Sequence, residues 1–480
     1  MDLVTIRKYD EAHIKIDCDP GIIMELSDRF TFDVPGAKFS PAYRNRMWDG
    51  KIRLLNTMSC LLYKGLSEEV ERFCTQRSYD VEYEESNADT EFSLIEARSF
   101  AKTLNLKHEP RDYQLDAFVH AIRKRRAILL SPTGSGKSLM IYLLTRYYDV
   151  KTLIIVPTIS LVHQMTSDFE DYGLEPGSIH KIMSGKEKNT DDSIVISTWQ
   201  SIYKMPKSWF DQFDVVIGDE VHLFKAKSLS KIMSNLNQCS LRFGFTGTLD
   251  GTQTNEMVLV GLFGPALKVT TTMELINREY LSDFKIKSLI LKYPDDLRKS
   301  ISGVDYQTEI DWIVCNPKRN NFIKNLALSL KGNTLLLFQF IDKQGKPLYD
   351  MIKSAAGDRP VYFIAGPISG EERERIRHSI EVDENAILVA SAGTTSTGIN
   401  IRNLHNIIFA SPSKTRIRNL QAIGRVLRKS ESKTIATLYD IADDLSWKKK
   451  PNYTLNHYIE RIKIYSEEGF DYKTYLIDLK

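Results

Sequence analysis

Ala127-Ile128-Leu129-Leu130-Ser131-Pro132-Thr133-Gly134-Ser135-Gly136-Lys137-Ser138-Leu139-Met140-Ile141-Tyr142-Leu143-Leu144 places a short apolar run, a glycine-containing loop and a second apolar run end to end. Strand, loop and helix in that order are the setting a phosphate-binding P-loop requires. Glycine lets the backbone wrap a polyphosphate, and successive N–H groups at a helix N-terminus supply a fixed positive field. In such a loop Thr133, Gly134, Ser135 and Gly136 cradle the phosphates. Lys137 reaches the β- and γ-phosphates, and the Ser138 hydroxyl ligates Mg²⁺. The pattern G-x-x-x-x-G-K-[ST] is broken only at its first position, occupied by Ser131. The stretch reads as a nucleoside triphosphate site.

Around it, from residue 98 onward, apolar strand-like runs alternate with helix-like runs. Residues 150–156, 193–197 and 215–218 read as buried strands, each followed by a polar loop. This is the rhythm of a doubly wound parallel sheet, whose ligands gather beyond the carboxyl ends of the strands. The rhythm lapses after Thr248 and returns at 334–338 and 386–390, so a second α/β sheet is expected. The expected organisation is a small α/β N-terminal domain at 1–97, an ATP-binding lobe at 98–283, a second lobe at 284–450, and a helical extension at 451–480.

Composition sets limits on the function. The 480 residues suffice for two or three domains, and 26% charged with 42% hydrophobic residues describe an ordinary globular protein. A net charge of +3 does not by itself announce a polyanionic partner, so basic residues must be concentrated locally if nucleic acid is bound. No apolar run reaches transmembrane length, and the N-terminus resembles neither a signal nor a transit peptide. Five scattered cysteines without a C-x-x-C pair argue for reduced thiols in a cytoplasmic compartment, and against zinc.

Asp219-Glu220-Val221-His222 follows the apolar run 214–218. Adjacent carboxylates at a strand end suit metal–nucleotide chemistry, with Asp219 holding Mg²⁺, directly or through water, and Glu220 polarising the attacking water. Gln421, Arg425 and Arg428 recur at helical spacing and share one face. With a triphosphate site elsewhere in the chain, the two arginines become candidate fingers for the γ-phosphate. If they belong to the second sheet, hydrolysis requires both lobes to close, which is how an ATPase becomes a motor.

In order along the chain, these motifs resemble those of the superfamily 2 helicases, DExH branch. The resemblance implies two RecA-like doubly wound parallel-sheet lobes, ATP as the nucleotide and Mg²⁺ as the metal. It further implies that Arg111 and Gln114 of Arg111-Asp112-Tyr113-Gln114 read adenine, and that Gln421 belongs to the nucleotide site. Thr158 of Pro157-Thr158, Thr198 of Ser197-Thr198-Trp199-Gln200 and Thr397 of Ser396-Thr397-Gly398 correspond to strand-contacting motifs, and Ser184-Gly185-Lys186 to a further such loop. Thr246-Gly247-Thr248 and Gly398 correspond to motifs that couple hydrolysis to movement. His222 fits a coupling role better than a metal site, since no second ligand lies at metal spacing.

The stretch Phe39-Ser40-Pro41-Ala42-Tyr43-Arg44-Asn45-Arg46-Met47-Trp48-Asp49-Gly50-Lys51-Ile52-Arg53, with Gly424-Arg425-Val426-Leu427-Arg428-Lys429 and the segment from Tyr453, is similar to the phage UvsW-type recombination helicases. That resemblance implies a DNA helicase of D-loops, R-loops, Holliday junctions and stalled forks. Its partners are then single-stranded and branched DNA, an RNA–DNA hybrid among them, and phage recombination and replication proteins; its place is the host cytoplasm, with no membrane contact. Physically, Arg44, Arg46, Lys51 and Arg53 interleave with Tyr43 and Trp48, giving phosphate-pairing cations beside stacking rings. The same residues also fit an ordinary hairpin with Trp48 in a core and the cations in solvent. An RNA helicase of the DExH class, a restriction-type translocase and a passive binding or annealing protein are the competing readings, the last requiring no intact Lys137, Glu220 or Arg428.

Overall fold

The computed structural model describes all residues except 1–2, 85–88, 184, 225, 250–251, 367–369, 394–400, 402, 413–421, 425–426, 428–434, 449 and 480. It divides into two compact units, Met1–Ser131 with Gly136–Thr270, and Pro132–Ser135 with Thr271–Lys480.

The first unit opens with strands β1 (Leu3–Lys8), β2 (His13–Asp17), β3 (Thr31–Asp33), β4 (Lys51–Arg53), β5 (Leu61–Tyr63) and β6 (Asp80–Tyr83). Four of them form the mixed sheet β5-β2-β1-β6, and β3 pairs with β4. Strands β7 (Arg126–Leu130), β8 (Thr152–Val156), β9 (Ile179–Ile182), β10 (Ile194–Thr198), β11 (Val215–Asp219), β12 (Leu241–Thr246) and β13 (Ala266–Lys268) follow. They form a seven-stranded sheet in the order β13-β7-β12-β11-β8-β10-β9, parallel throughout. Strands β8, β10 and β11 are buried at every residue, which is why they read as unbroken apolar runs in place of alternating ones. The helix Lys137–Tyr148, with Leu139 to Thr145 all buried, is apolar on every side because the sheet and its neighbouring helices enclose it.

Residues 1–97, expected as a separate domain, lie in the same compact unit as this sheet, and one hydrophobic core runs from Val4 and Ile6 through Leu66 to Val216 and Phe263. The joint is close-packed. A Cβ on Gly65 would stand 2.0 Å from the Val260 carbonyl oxygen, and one on Gly261 would stand 2.9 Å from Tyr63 Cβ. Hydrogen bonds tie the same faces together, from Arg126 Nη2 to the Glu11 carbonyl at 2.7 Å, from the Glu11 N–H to the Asn237 carbonyl at 2.9 Å, and from Thr254 Oγ1 to the Asp33 carbonyl at 3.0 Å. Gly65→Ala is therefore expected to cost about 1–3 kcal/mol of overpacking, read as faster hydrogen exchange in β5 and in the helix Gln253–Phe263.

The second unit holds β14 (Asp283–Lys292), β15 (Thr334–Phe338), β16 (Val361–Ile364), β17 (Ile387–Ser391), β18 (Asn406–Phe409), β19 (Ile435–Asp444) and β20 (Tyr472–Asp478). Their order is β16-β17-β15-β18-β19-β14-β20, again all parallel. The chain is thus an α/β protein with two doubly wound parallel-sheet lobes preceded by a small α/β domain. Residues 271–283, expected with the first lobe, cluster with the second unit, where Leu275 and Ile276 are buried and Met273 lies against Gly469. The stretch expected to be a helical extension forms the helix Tyr453–Glu467 and then β20, an edge strand in register with β14. An edge strand with one side to solvent lacks the apolar run that marks a central one, and β20 is exposed at all but one residue. At the heart of this lobe, Arg319 Nε and Nη2 donate to Asp443 Oδ1 and Oδ2 at 2.8 and 3.0 Å, and Tyr293 OH donates to Oδ1 at 2.7 Å.

Candidate nucleotide site and strand cleft

The loop Ser131–Ser138 leaves the carboxyl end of β7 and enters the helix Lys137–Tyr148, whose N-cap Gly136 has a left-handed backbone, φ 82°. Two requirements for glycine meet there, because a Cβ would also stand 2.3 Å from Gln114 Nε2. Ser131 needs no such freedom. It is fully buried, is not among the positive-φ residues, and its N–H donates to the Thr246 carbonyl at 2.9 Å. This is why serine can stand where the pattern has glycine. Ser135 Oγ donates to the Pro132 carbonyl at 2.7 Å, closing the turn that carries Thr133 and Gly134.

Gln114 is buried on the helix Asp112–Lys124, and its Oε1 accepts the Arg111 N–H at 2.8 Å. Arg111 Nη1 donates to Tyr113 OH at 2.9 Å. The pair expected to read adenine thus sits beside the P-loop glycine.

At the carboxyl end of β11, Lys137 Nζ lies 3.1 Å from Glu220 Oε1 and 3.3 Å from the Ser131 carbonyl. Asp219 is buried and accepts the Glu220 N–H at 3.0 Å. Burial first, and the adjacent Glu220 charge second, push the Asp219 carboxyl up to about 7. Burial opposes ionisation of Glu220 too, but the Lys137 ammonium and then His222 outweigh it and hold that carboxyl below its usual range. Glu220 is also left-handed, φ 49°, a conformation that a non-glycine residue keeps only where its surroundings enforce it. His222 Nδ1 lies 3.5 Å from Glu220 Oε2 and hydrogen-bonds Thr246 Oγ1, which donates to the Thr248 carbonyl at 3.0 Å. A continuous polar chain therefore links Glu220, His222, Thr246 and Thr248.

These residues fit Mg²⁺. A hydroxyl at Ser138 and a buried carboxylate at Asp219 are hard oxygen donors, and Mg²⁺ usually takes one or two carboxylates together with phosphate and water. No cluster of three or more His, Cys, Asp or Glu suited to a metal exists among the described residues, so a dedicated all-protein metal cage is not present there.

At the same edge of the sheet, Thr198 ends β10, and Thr158 lies two residues beyond the end of the adjacent β8. With Pro157, Met183, Gly185 and Lys188 they line a cleft of about 540 Å³. Thr158 N-caps the helix Ile159–Asp171, its Oγ1 accepting from the Leu161 N–H, and Thr198 Oγ1 pairs with Ser201 Oγ at 2.9 Å. Gln421, Arg425, Arg428, Thr397, Gly398 and Ser184 lie outside the described residues.

In the β3–β4 connection and β4, Arg44, Arg46, Lys51 and Arg53 are all exposed, and Arg53 is also ion-paired with Asp49 at 2.5 Å. Trp48 is half-buried outside the core, and its indole N–H donates to the Lys51 carbonyl at 2.8 Å. The connection carries exposed apolar side chains that charge and aromatic spacing did not single out, Phe39 at 67% and Met47 at 81% exposure. Another residue missing from the sequence reading is Tyr172, whose hydroxyl lies 2.9 Å from Ser138 Oγ. Nothing local signals a contact across 34 residues of chain.

Residues 107–251 match the family model of the type III restriction enzyme res subunit, and residues 317–430 that of the helicase conserved C-terminal domain. With the two parallel sheets and the P-loop, these matches define a superfamily 2 helicase. Residues 3–84 match the N-terminal domain of the DNA helicase UvsW. The chain is 38% identical over 504 residues to the ATP-dependent DNA helicase UvsW of Enterobacteria phage T4, covering 99% of this chain and 100% of that one. The crystal structure of T4 UvsW matches at a TM-score of 0.53 and 38% identity over 100% of both chains. A more distant relative, the DNA 3'-5' translocase XPB2 of Sulfurisphaera tokodaii, is 23% identical over 73% of this chain and 85% of its own length. The chain belongs to the UvsW family of ATP-dependent DNA helicases.

Proposed function

We propose that this helicase unwinds or branch-migrates branched DNA (D-loops, R-loops, Holliday junctions and stalled forks) in phage recombination, repair and replication. The observation that carries the reading is the placement of the Lys137–Glu220–Asp219 cluster and the Thr158–Thr198 cleft on the carboxyl edge of one sheet, built into one core with a basic, apolar-tipped module. ATP is the nucleotide, with Gln114 and Arg111 at the adenine and Thr133 to Ser138 at the phosphates. Bound Mg²⁺ at Ser138 and Asp219 would neutralise charge shared by the β- and γ-phosphates. Lys137 is held by Glu220 until a phosphate competes for it. Its departure removes the charge that keeps Glu220 acidic, so phosphate arrival raises the basicity of the group that must orient water. His222, Thr246 and Thr248 then carry the change towards the helix Gln253–Phe263. Gln421, Arg425 and Arg428 are assigned to the γ-phosphate side, and Thr397 and Gly398 to strand contact and coupling, on motif spacing alone. Five free thiols fit the reducing cytoplasm of a host cell, and among the described residues no helix is long and apolar enough to cross a membrane.

Comparing a synthetic fork, a Holliday junction, an R-loop and an RNA duplex as unwinding substrates tests the reading. Preference for the RNA duplex would replace it with an RNA helicase. Strand annealing without ATP turnover would replace it with a passive binder.

The N-terminal module is assigned to the duplex arms. Its connection is internally braced, with Phe39 N–H bonded to Gly36, Ser40 N–H to Ala37 and Met47 N–H to Ala42, so Phe39 and Met47 project from a preformed knob flanked by Arg44, Arg46 and Lys51. Replacing Arg44 and Arg46 together with Ala is expected to weaken junction binding and to lower the salt slope by up to about 0.9 per lost phosphate contact. ATP hydrolysis stimulated by plain single strands should barely change. If both activities fall together in a folded variant, the module belongs to the motor.

A further inference from the structure

The Ser138 hydroxyl already has a partner in the protein. Tyr172 OH lies 2.9 Å from Ser138 Oγ, and either oxygen can be the donor. Tyr172 is the C-cap of the helix Ile159–Asp171, and its ring packs on Tyr142 of the P-loop helix, centroids 5.4 Å apart. The other end of that helix is N-capped by Thr158, which lines the strand cleft. A helix of 13 residues, rising about 1.5 Å per residue, is a rod of about 20 Å between the cleft and the P-loop hydroxyl.

We propose that Tyr172 is a positioning residue for the metal-binding oxygen of Ser138, and that the helix it caps carries occupancy of the strand cleft to that oxygen. A serine hydroxyl has one hydrogen and two lone pairs. When Tyr172 accepts the Ser138 hydrogen, both serine lone pairs remain for a cation. When Tyr172 donates instead, it uses one of them. The same contact therefore has two states that differ only in which oxygen donates. A small displacement of the helix end, produced where a strand meets Thr158, is enough to favour one of them. The inference rests on the reading above that the cleft takes a DNA strand and that Ser138 ligates Mg²⁺.

Tyr172→Phe keeps the ring on Tyr142 and deletes only the hydroxyl, so the fold is retained. The measurement is the affinity of a fluorescent ADP analogue, in EDTA and across a Mg²⁺ titration, with and without a single-stranded oligonucleotide. In the variant, the Mg²⁺ concentration giving half-maximal binding should rise about two- to tenfold, the worth of one hydrogen bond, with the EDTA affinity unchanged. The oligonucleotide should lower that concentration in the wild type and leave it unmoved in the variant. An unaltered Mg²⁺ dependence in Tyr172→Phe overturns the positioning role. An equal loss of affinity in EDTA also overturns it, since the hydroxyl would then only brace the loop. An oligonucleotide effect that survives in the variant, or is missing from the wild type, overturns the helix route. A wild-type protein whose nucleotide binding ignores Mg²⁺ overturns both the inference and the metal reading beneath it.

Discussion

Lys137→Ala is expected to lower ATP turnover by at least about 10²-fold, the usual consequence of removing one preorganised charge from the group where negative charge develops. Glu220→Gln should stop turnover as completely while leaving nucleotide affinity nearly intact, because an amide can still pack there but cannot take up a proton. The ion pair between the two adds a consequence that the motif alone does not contain. Their side chains are 12% and 17% exposed, so deleting the lysine strands a largely buried carboxylate. Lys137→Ala should therefore also lose thermal stability, and Glu220→Gln should lose some as well, since it leaves the largely buried Lys137 ammonium without its carboxylate. The double variant Lys137→Ala/Glu220→Gln should regain the stability without any turnover. Calorimetry beside a phosphate-release assay checks both. Wild-type turnover in Glu220→Gln would remove that residue from the reaction, and an equally low melting point in the double variant would mean the pair is not what the lysine supports.

Asp443→Ala is expected to destabilise the second lobe by about 3–5 kcal/mol, since it leaves Arg319 as a buried cation without a counter-charge. Both side chains are fully buried, and Asp443 accepts from Arg319 twice and from Tyr293 once. Burial works against the Arg319 charge, but Asp443 and then Tyr293 outweigh it and raise its pKa. Arg319 also donates to the Ala410 carbonyl just beyond β18, so the loss should appear as faster hydrogen exchange in β18 and β19, with the first lobe unaffected. Replacing both partners, Arg319→Met with Asp443→Leu, should be much milder, because an apolar pair leaves no charge behind. Equal loss in the single and double variants would show that the site matters for shape and not for charge.

Much of the fold was legible because central parallel strands are buried on both faces. Thr334–Phe338 and Val215–Asp219 have no solvent side, so they stand out as apolar runs, and the P-loop between Leu130 and Leu139 fixes what lies at their ends. Strand β20 was not legible. Tyr472–Asp478 (Tyr-Lys-Thr-Tyr-Leu-Ile-Asp) carries no unbroken apolar run because it is an exposed edge, and its pairing with β14 is made nearly two hundred residues away in the chain. The union of residues 1–97 with the first lobe was hidden for a related reason. Part of it is a close approach at two glycines, Gly65 and Gly261, whose lack of side chains carries no local signal. In the site, Lys137, Asp219 and Glu220 could be found from short-range motifs. The bonds around them, from Tyr172 to Ser138 and from His222 to Thr246, join segments that only the sheet brings together.

The interlocked glycines bear on how the motor handles force. A module joined to its neighbour through a shared close-packed core has little give, because interiors pack like crystals and transmit strain. If the knob between β3 and β4 grips a duplex as proposed, tension on that duplex arrives at the ATP-binding sheet as recoil, undamped by a soft linker. The useful quantity is then the load at which the enzyme stalls. Loosening the seam at Gly65 should lower the stall force on a tethered fork well before it alters how tightly the fork is held.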